Sequence, residues 1–246
     1  MLKLSEIHQG DCLELMEEID DQSIDMILCD LPYGTTKCKW DVVIPFPLLW
    51  YQYRRIIKPN GAVVLFATQP FTTAMIQSNL KNYKYSWVWD KVKPVGHLVA
   101  RLRPMQQTED ICVFGYNAIK YNPQETERDV PRWSREYGRT ESIGGRSNND
   151  GSLLTHKQPT NLLRFSKEGK EHPTQKPVAL CEYLIRTYTD KGDLVLDNCI
   201  GSGTTAVACE NLGRQWIGIE SDAKYVKIAR NRIANATTNL LIKGSQ

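Results

Sequence analysis

The sequence predicts an α/β protein, with one mainly parallel sheet covered by helices on both faces and interrupted by an irregular insertion. Three features point that way. Buried-strand runs alternate with helical stretches toward both ends of the 246-residue chain, the pattern of parallel strands joined by helical crossovers. Two of those runs end in turns rich in reactive or polar side chains, Asp30-Leu31-Pro32-Tyr33 and Asp197-Asn198-Cys199-Ile200-Gly201-Ser202-Gly203. Between them, from Asn117 to Lys170, apolar periodicity fades and Asn, Arg, Gly, Ser and Thr dominate. Residues 1–115 and 171–246 are therefore expected to form two halves of one domain, with 116–170 inserted.

Taken in order, a short strand near Lys3–His8 leads into Gly10-Asp11-Cys12 and a helix over Leu13–Glu18. Ile24-Asp25-Met26-Ile27-Leu28-Cys29 is a buried-strand run closed by Asp30. Residues 34–45 are too polar for a core element and predict an excursion. An amphipathic helix covers Phe46–Ile57 and stops at Lys58-Pro59-Asn60-Gly61, where proline and glycine end a helix and turn the chain. Ala62–Phe66 is an apolar run of strand length, and a helix over Phe71–Leu80 follows. Tyr85–Trp89 and Asp110–Phe114 predict two strands around a loop carrying Lys91, Lys93, His97, Arg101 and Arg103. Past the insertion come a helix over Val178–Thr187 and the strand Leu194–Leu196. A helix over Thr204–Leu212, the strand Trp216–Ile219 and a closing helix over Ala223–Asn235 complete the chain.

Bulk properties narrow the function classes. A hydrophobic share of 41% with 24% charge is ordinary for a soluble globular protein. No run approaches the roughly 20 apolar residues of a membrane span, and the first residues lack an apolar signal core, so the chain reads as cytoplasmic. Its seven cysteines are scattered, without a C-x-x-C pair or a His/Cys cluster, which favours reduced thiols over disulfides and predicts no metal site. The net charge of +3 is too small to establish a nucleic-acid partner, so a local basic surface must carry any such binding.

The two turns suggest chemistry. At Asp30-Leu31-Pro32-Tyr33 a carboxylate, a backbone carbonyl and an aromatic ring emerge together from one strand end. That set suits a planar ring bearing an amino group: two oxygens take the amine hydrogens while the phenol stacks on the ring face. Gly201-Ser202-Gly203, between a strand and a helix, lets backbone approach a ligand closely and adds amide donors from the helix N-terminus. A phosphate loop is excluded because no Gly-Lys-Ser/Thr follows. Glu220, ending the next strand, is placed as an acceptor for the two hydroxyls of a ribose.

In this order the motifs resemble the amino-group DNA methyltransferases that use S-adenosyl-L-methionine, in their permuted, beta-type arrangement. Asp30 to Tyr33 is similar to the family's catalytic aspartate–proline–proline–tyrosine motif, and Asp197 to Gly203 to its cofactor turn. Glu220 matches the ribose acid, and Asp11 and Cys12 lie in a segment like the one that contacts the adenine ring. His172-Pro173-Thr174-Gln175-Lys176-Pro177 resembles the stretch leading into the cofactor half. The resemblance implies a Rossmann-like methyltransferase fold with a circularly permuted sheet. It also implies Asp30, Leu31, Pro32 and Tyr33 as catalytic residues. Asp11, Cys12, Lys176, Asp197, Gly201, Ser202, Gly203 and Glu220 would hold the cofactor. DNA is the implied partner and residues 116–170 the target-recognition region. Lys37 and Lys39 in the excursion, and Arg132, Arg135, Arg139 and Arg146 in the insertion, are expected DNA contacts. Trp87 and Trp89 are either a further wall of the base pocket or core residues.

Two segments depart from the family pattern. Leu31 replaces a proline but retains the carbonyl, and Asn198-Cys199 replaces a Pro-Phe pair, removing an aromatic beneath the methionine portion. The expected reaction is methylation of adenine N6 in DNA, since an aspartate opens the catalytic motif; cytosine N4 is the alternative. Two further readings compete. A protein glutamine or RNA guanine amine would require the cofactor turn to precede the catalytic motif, and a non-catalytic DNA-binding module would draw on the two departures alone. A homodimer and a cognate restriction nuclease are compatible with the family, and no seam in the sequence marks either.

Overall fold

Residues Ile24–Asp30 alternate toward neither face, because both faces are covered: their side chains form the centre of a sheet buried on both sides. The computed structural model describes residues 2–34, 41–133, 153–167 and 175–244, the last eight of these as helix backbone alone. Contacts divide these residues into one unit of 1–122 with 161–246 and a second of 123–160.

The larger unit holds an eight-stranded sheet. In chain order its elements are β1 (Glu6–Gln9), α1 (Cys12–Met16), β2 (Ile24–Asp30), α2 (Phe46–Ile56), β3 (Ile57–Ala67), α3 (Phe71–Ser78), β4 (Tyr83–Val95) and β5 (Gln106–Phe114). The smaller unit contributes β6 (Thr126–Trp133) and β7 (Leu153–Lys157). Then follow β8 (Leu162–Arg164), α4 (Val178–Tyr188), β9 (Leu194–Asp197), α5 (Thr204–Leu212), β10 (Gln215–Glu220) and α6 (Ala223–Gly244). The sheet order is β1-β10-β9-β2-β3-β5-β4-β8, parallel except where β5 pairs antiparallel with β3 and β4. Among the described residues no helix is long and apolar enough to cross a membrane.

Each face of the sheet carries its own apolar layer. Met16, Leu49, Tyr53, Ile56 and Met75 from α1, α2 and α3 cover one side. Leu180, Leu184, Ile185, Ala208 and Val226 from α4, α5 and α6 cover the other. Two connections head in opposite directions from the centre: β2 leads outward to β3, while β9 leads to β10 on its other side. A crevice opens at the carboxyl ends of strands where such connections diverge. The β2 and β9 ends are where the two chemistry-bearing turns lie.

Three expectations need correction. Lys58-Pro59-Asn60-Gly61 does not separate a helix from a strand. Strand β3 begins at Ile57 opposite Ile24, bulges through these residues, and resumes with Ala62 opposite Met26. The bulge is pinned by Lys58 Nζ on both oxygens of Asp25, at 2.7 and 2.8 Å. The loop expected at Lys91 and Lys93 is instead the extension of β4, carried past Trp89 by pairing with a β5 that starts four residues before Asp110. The insertion is also narrower than 116–170. Its compact unit is Pro123–Thr160, and Leu162–Arg164 joins the main sheet beside β4. Within the smaller unit, β6 and β7 pair antiparallel from Thr126 opposite Lys157 to Trp133 opposite Leu153. Almost every β6 side chain is exposed, so no apolar alternation marked it in the sequence.

Candidate active site

The parallel pairing of β2 with β9 brings the two turns together. Asp30, Pro32 and Tyr33 line the same cavity of about 530 Å³ as Asp197, Gly201 and Glu220. Asp11, Cys12, Leu31, Ser202 and Lys176 also border it.

At one end lies the glycine turn. Gly201 and Gly203 adopt φ of +53° and +83°, where side-chain-bearing residues are strained. At Gly203 an added Cβ would also meet the Ala229 Cβ at 3.0 Å. Glu220 receives the Gly201 amide on Oε2 and the Asp222 amide on Oε1, each at 2.9 Å. Burial pushes its carboxyl up, against those backbone bonds, and each oxygen retains capacity for another donor. Asp11 caps α1, its Oδ1 accepting from the amides of Leu13 and Glu14. Ser202 is held from α6 by Arg232, whose Nη1 donates to its carbonyl and to its Oγ at 2.8 Å.

Asn198, in the second departure, is 1% exposed and has a specific job: its Oδ1 accepts the Tyr53 hydroxyl at 2.6 Å, tying the turn to α2. Cys199, beside it, lies near the thiols of Cys12 and Cys29. Burial pushes the Cys29 thiol up to about 12, so these groups stay protonated and are not nucleophiles.

Asp197 is buried, with Oδ2 accepting from Thr205 Oγ1 at 2.6 Å and Oδ1 from the Cys199 amide at 3.1 Å. Burial pushes its carboxyl up to about 7 despite those bonds. In the unfolded chain an aspartate titrates near 4, so the folded protein holds this proton more tightly. The stability gained from that is complete below about pH 4 and is lost as pH rises through about 7. An ionised Asp197 also favours a cationic ligand beside it. Affinity for a cationic ligand in this cavity is therefore expected to rise between about pH 6 and about pH 8, and Asp197→Asn to flatten that rise. Calorimetric titration of a sulfonium ligand across this range checks it; equal slopes in both proteins would refute the pairing.

At the other end, Asp30 has a donor on each oxygen. Tyr33 Oη donates to Oδ1 at 2.6 Å, and Lys176 Nζ donates to Oδ2 at 2.6 Å. Lys176 also contacts Glu109 Oε1 at 2.9 Å, and Glu109 Oε2 pairs with Lys91 at 3.0 Å. Burial alone would lower the Lys176 ammonium, but Asp30 and Glu109 outweigh it and hold it above the usual lysine range. Burial likewise works to raise Glu109, and Lys176 and Lys91 hold it below the usual carboxylate range. The Tyr33 ring packs on Phe71 with centroids 5.0 Å apart.

Other residues named from the sequence take definite places here. Lys176, expected to hold the cofactor, has its ammonium bound between the carboxylates of Asp30 and Glu109. Trp87 is core: it is 3% exposed and its Nε1 donates to Tyr188 Oη at 2.6 Å. Trp89 borders the cavity, yet its indole N–H is directed to the Phe165 carbonyl. Arg132 is exposed on β6, whereas Lys37, Lys39, Arg135, Arg139, Arg146 and His172 lie outside the described residues. Glu109, Tyr53 and Arg232 went unnoticed in the sequence. For Glu109 a signal existed, an acid opening the apolar run Ile111–Phe114, but only the antiparallel register turns that strand start toward Asp30.

A Rossmann-like α/β sheet with a glycine turn and an Asp-x-Pro-Tyr turn on one cavity defines an S-adenosylmethionine-dependent methyltransferase. A family model described as DNA methylase, of the N6/N4 methyltransferase type, matches residues 24–231. The chain belongs to that family and is an S-adenosylmethionine-dependent DNA amino-methyltransferase. It is 29% identical over 254 residues to the Type II methyltransferase M1.MboII of Moraxella bovis, covering 93% of this chain and 96% of that protein. Among solved structures, M1.HpyAVI in complex with S-adenosylmethionine superimposes with a TM-score of 0.62 at 28% identity, covering 92% of this chain and 98% of that one. The PvuII cytosine-N4-specific DNA methyltransferase shares the fold, with a TM-score of 0.65 at 18% identity over 96% of this chain and 92% of that one.

Proposed function

We propose that this chain methylates the exocyclic N6 of an adenine flipped out of duplex DNA. The observation that carries the reading is the single cavity joining Asp30 and Tyr33 at one end to Gly201 and Glu220 at the other. Its volume lies within the range of small-molecule sites.

The residues present fit the cofactor. The Gly201–Gly203 backbone would approach it closely, Glu220 would accept its ribose hydroxyls, and Asp11 and Cys12 would border its adenine. Asp197 would face its cationic portion. When bound, S-adenosylmethionine supplies an electrophilic methyl group on a sulfonium.

The amine of adenine is a poor nucleophile because its lone pair is delocalised into the ring. Asp30 would accept one amine hydrogen, and the carbonyl of Leu31 or Pro32 the other, drawing the nitrogen toward tetrahedral geometry. These interactions strengthen as positive charge develops on nitrogen, so they favour the transition state over the ground state. Tyr33, braced by Phe71, would present its ring as the stacking surface for the base. A base inside a duplex cannot reach such a pocket, so the nucleotide must leave the stack.

Incubating duplex DNA with the protein and labelled cofactor, then analysing nucleosides by mass, tests the reading. N6-methyladenine is the expected product, and N4-methylcytosine alone would overturn the choice of base. DNA contacts are assigned to Lys37, Lys39, Arg132, Arg135, Arg139 and Arg146. Replacing those four arginines together with alanine is expected to lower DNA affinity and to flatten its salt dependence, by about one unit of slope for each phosphate left unneutralised. An unchanged slope would remove them from the interface.

A further inference from the structure

Glu109 is assigned no part in the steps above, yet it engages three side chains beside Asp30. Beyond its bonds to Lys176 and Lys91, its Oε1 stands 3.3 Å from the Tyr33 hydroxyl. Glu109, Lys91 and Lys176 are all under 9% exposed. With Asp30 they form a cluster of two acids and two lysines. Charges so enclosed are costly to desolvate unless each is paired, and here each is.

The pairing raises a difficulty for catalysis. Each Asp30 oxygen already shares its charge with a donor at 2.6 Å; one lone pair remains on each, and an amine hydrogen accepted there meets a weaker acceptor than a free carboxylate offers. Lys176 is locked by two carboxylates. Tyr33 is not. Its single hydroxyl proton can be donated to one acceptor at a time, and two acceptors stand within reach of the same oxygen.

Resting on the reading of Asp30 as the acceptor of the target amine, we infer that Glu109 is a positioning residue that takes over the Tyr33 hydroxyl when the base arrives. Asp30 Oδ1 is thereby released to the amine, while Lys176, steadied by Glu109, keeps Oδ2 in place. The handover moves a hydrogen bond and no proton. Burial, with Asp30 and Glu109 nearby, holds the Tyr33 phenol well above its usual range, so it remains a donor throughout. Only the hydroxyl rotates and shifts slightly, and the ring stays against Phe71 as the stacking surface.

The test is a double-mutant cycle of Glu109→Gln and Tyr33→Phe, read by steady-state kinetics on duplex DNA. Glutamine keeps the shape of Glu109 but removes its charge. Alone it is expected to lower kcat roughly 10- to 100-fold while the KM for cofactor stays within about twofold. In the Tyr33→Phe background, where there is no hydroxyl to relocate, the same change is expected to cost under about fivefold. Equal costs in both backgrounds, or an unchanged kcat in Glu109→Gln, would overturn the inference. Should Glu109→Gln not fold, Tyr33→Phe alone decides. Its KM for the target duplex is expected to be no higher than wild type, since Asp30 Oδ1 is then uncapped; a rise above about tenfold overturns the handover. If wild-type protein transfers no methyl to DNA, the proposed function fails. If it does, and only the cycle is additive, the role of Glu109 alone fails.

Discussion

An Asp30→Asn variant is expected to lose about two to three orders of magnitude in kcat while its affinity for S-adenosylmethionine stays within about twofold. The substitution preserves size but replaces one acceptor oxygen with an NH₂ donor. Facing Lys176 Nζ that NH₂ meets another donor, and facing Tyr33 Oη it obliges the hydroxyl to accept and to give its proton elsewhere, so one of the two 2.6 Å bonds to the present carboxylate is lost either way. It also removes the negative charge that a nitrogen gaining positive charge needs beside it. The effect should fall on kcat because this charge interaction is made chiefly in the transition state, and the residues proposed to hold the cofactor lie at the other end of the cavity. The Asp30 side chain is 26% exposed, so folding should survive, and a thermal melt checks that directly. A kcat within tenfold of wild type in a folded variant would remove Asp30 from the chemistry.

Replacing Glu220 with alanine is expected to weaken cofactor binding by roughly 30- to 100-fold, which corresponds to about 2–3 kcal/mol. Two losses combine. The acceptors proposed for the ribose hydroxyls disappear, and the amides of Gly201 and Asp222 lose the partners they now hold at 2.9 Å. The second loss loosens the glycine turn, since glycine has many conformations open to it and the Glu220 bond to the Gly201 amide helps select one. Isothermal titration with the cofactor measures the total. A melting temperature lowered without any change in cofactor Kd would make Glu220 a structural cap alone.

Much of the fold was legible because its centre obeys local rules. Helix α5 spans Thr204–Leu212 as expected, since a glycine at each end sets both boundaries. Strand β2 spans Ile24–Asp30 as expected, since a doubly covered strand must be a continuous apolar run. Misreadings occurred where a neighbour overrides local signals. Pro59-Asn60-Gly61 reads as a turn, but Ile57 finds Ile24 to pair with and strand β3 continues through the bulge. Strands β6 and β8 were invisible because one has no buried face and the other is only three residues long.

The same division holds at the site. Turn residues such as Asp30, Gly201 and Glu220 were readable because a ligand-binding turn must carry its carboxylate or glycine within a few residues of a strand end, which is local information. Lys176 was visible, but its pairing with a carboxylate 146 positions earlier was not. Glu109, Tyr53 and Arg232 carried no motif at all. By itself, then, the sequence determined the α/β alternation, the two turns and their order along the chain, and with them the methyltransferase class. Tertiary structure alone decided that those turns meet on one cavity and that two buried lysines and a second carboxylate surround Asp30. Hydrogen bonds and ion pairs form between groups near in space, and distance along a chain does not report that nearness until the strands have paired.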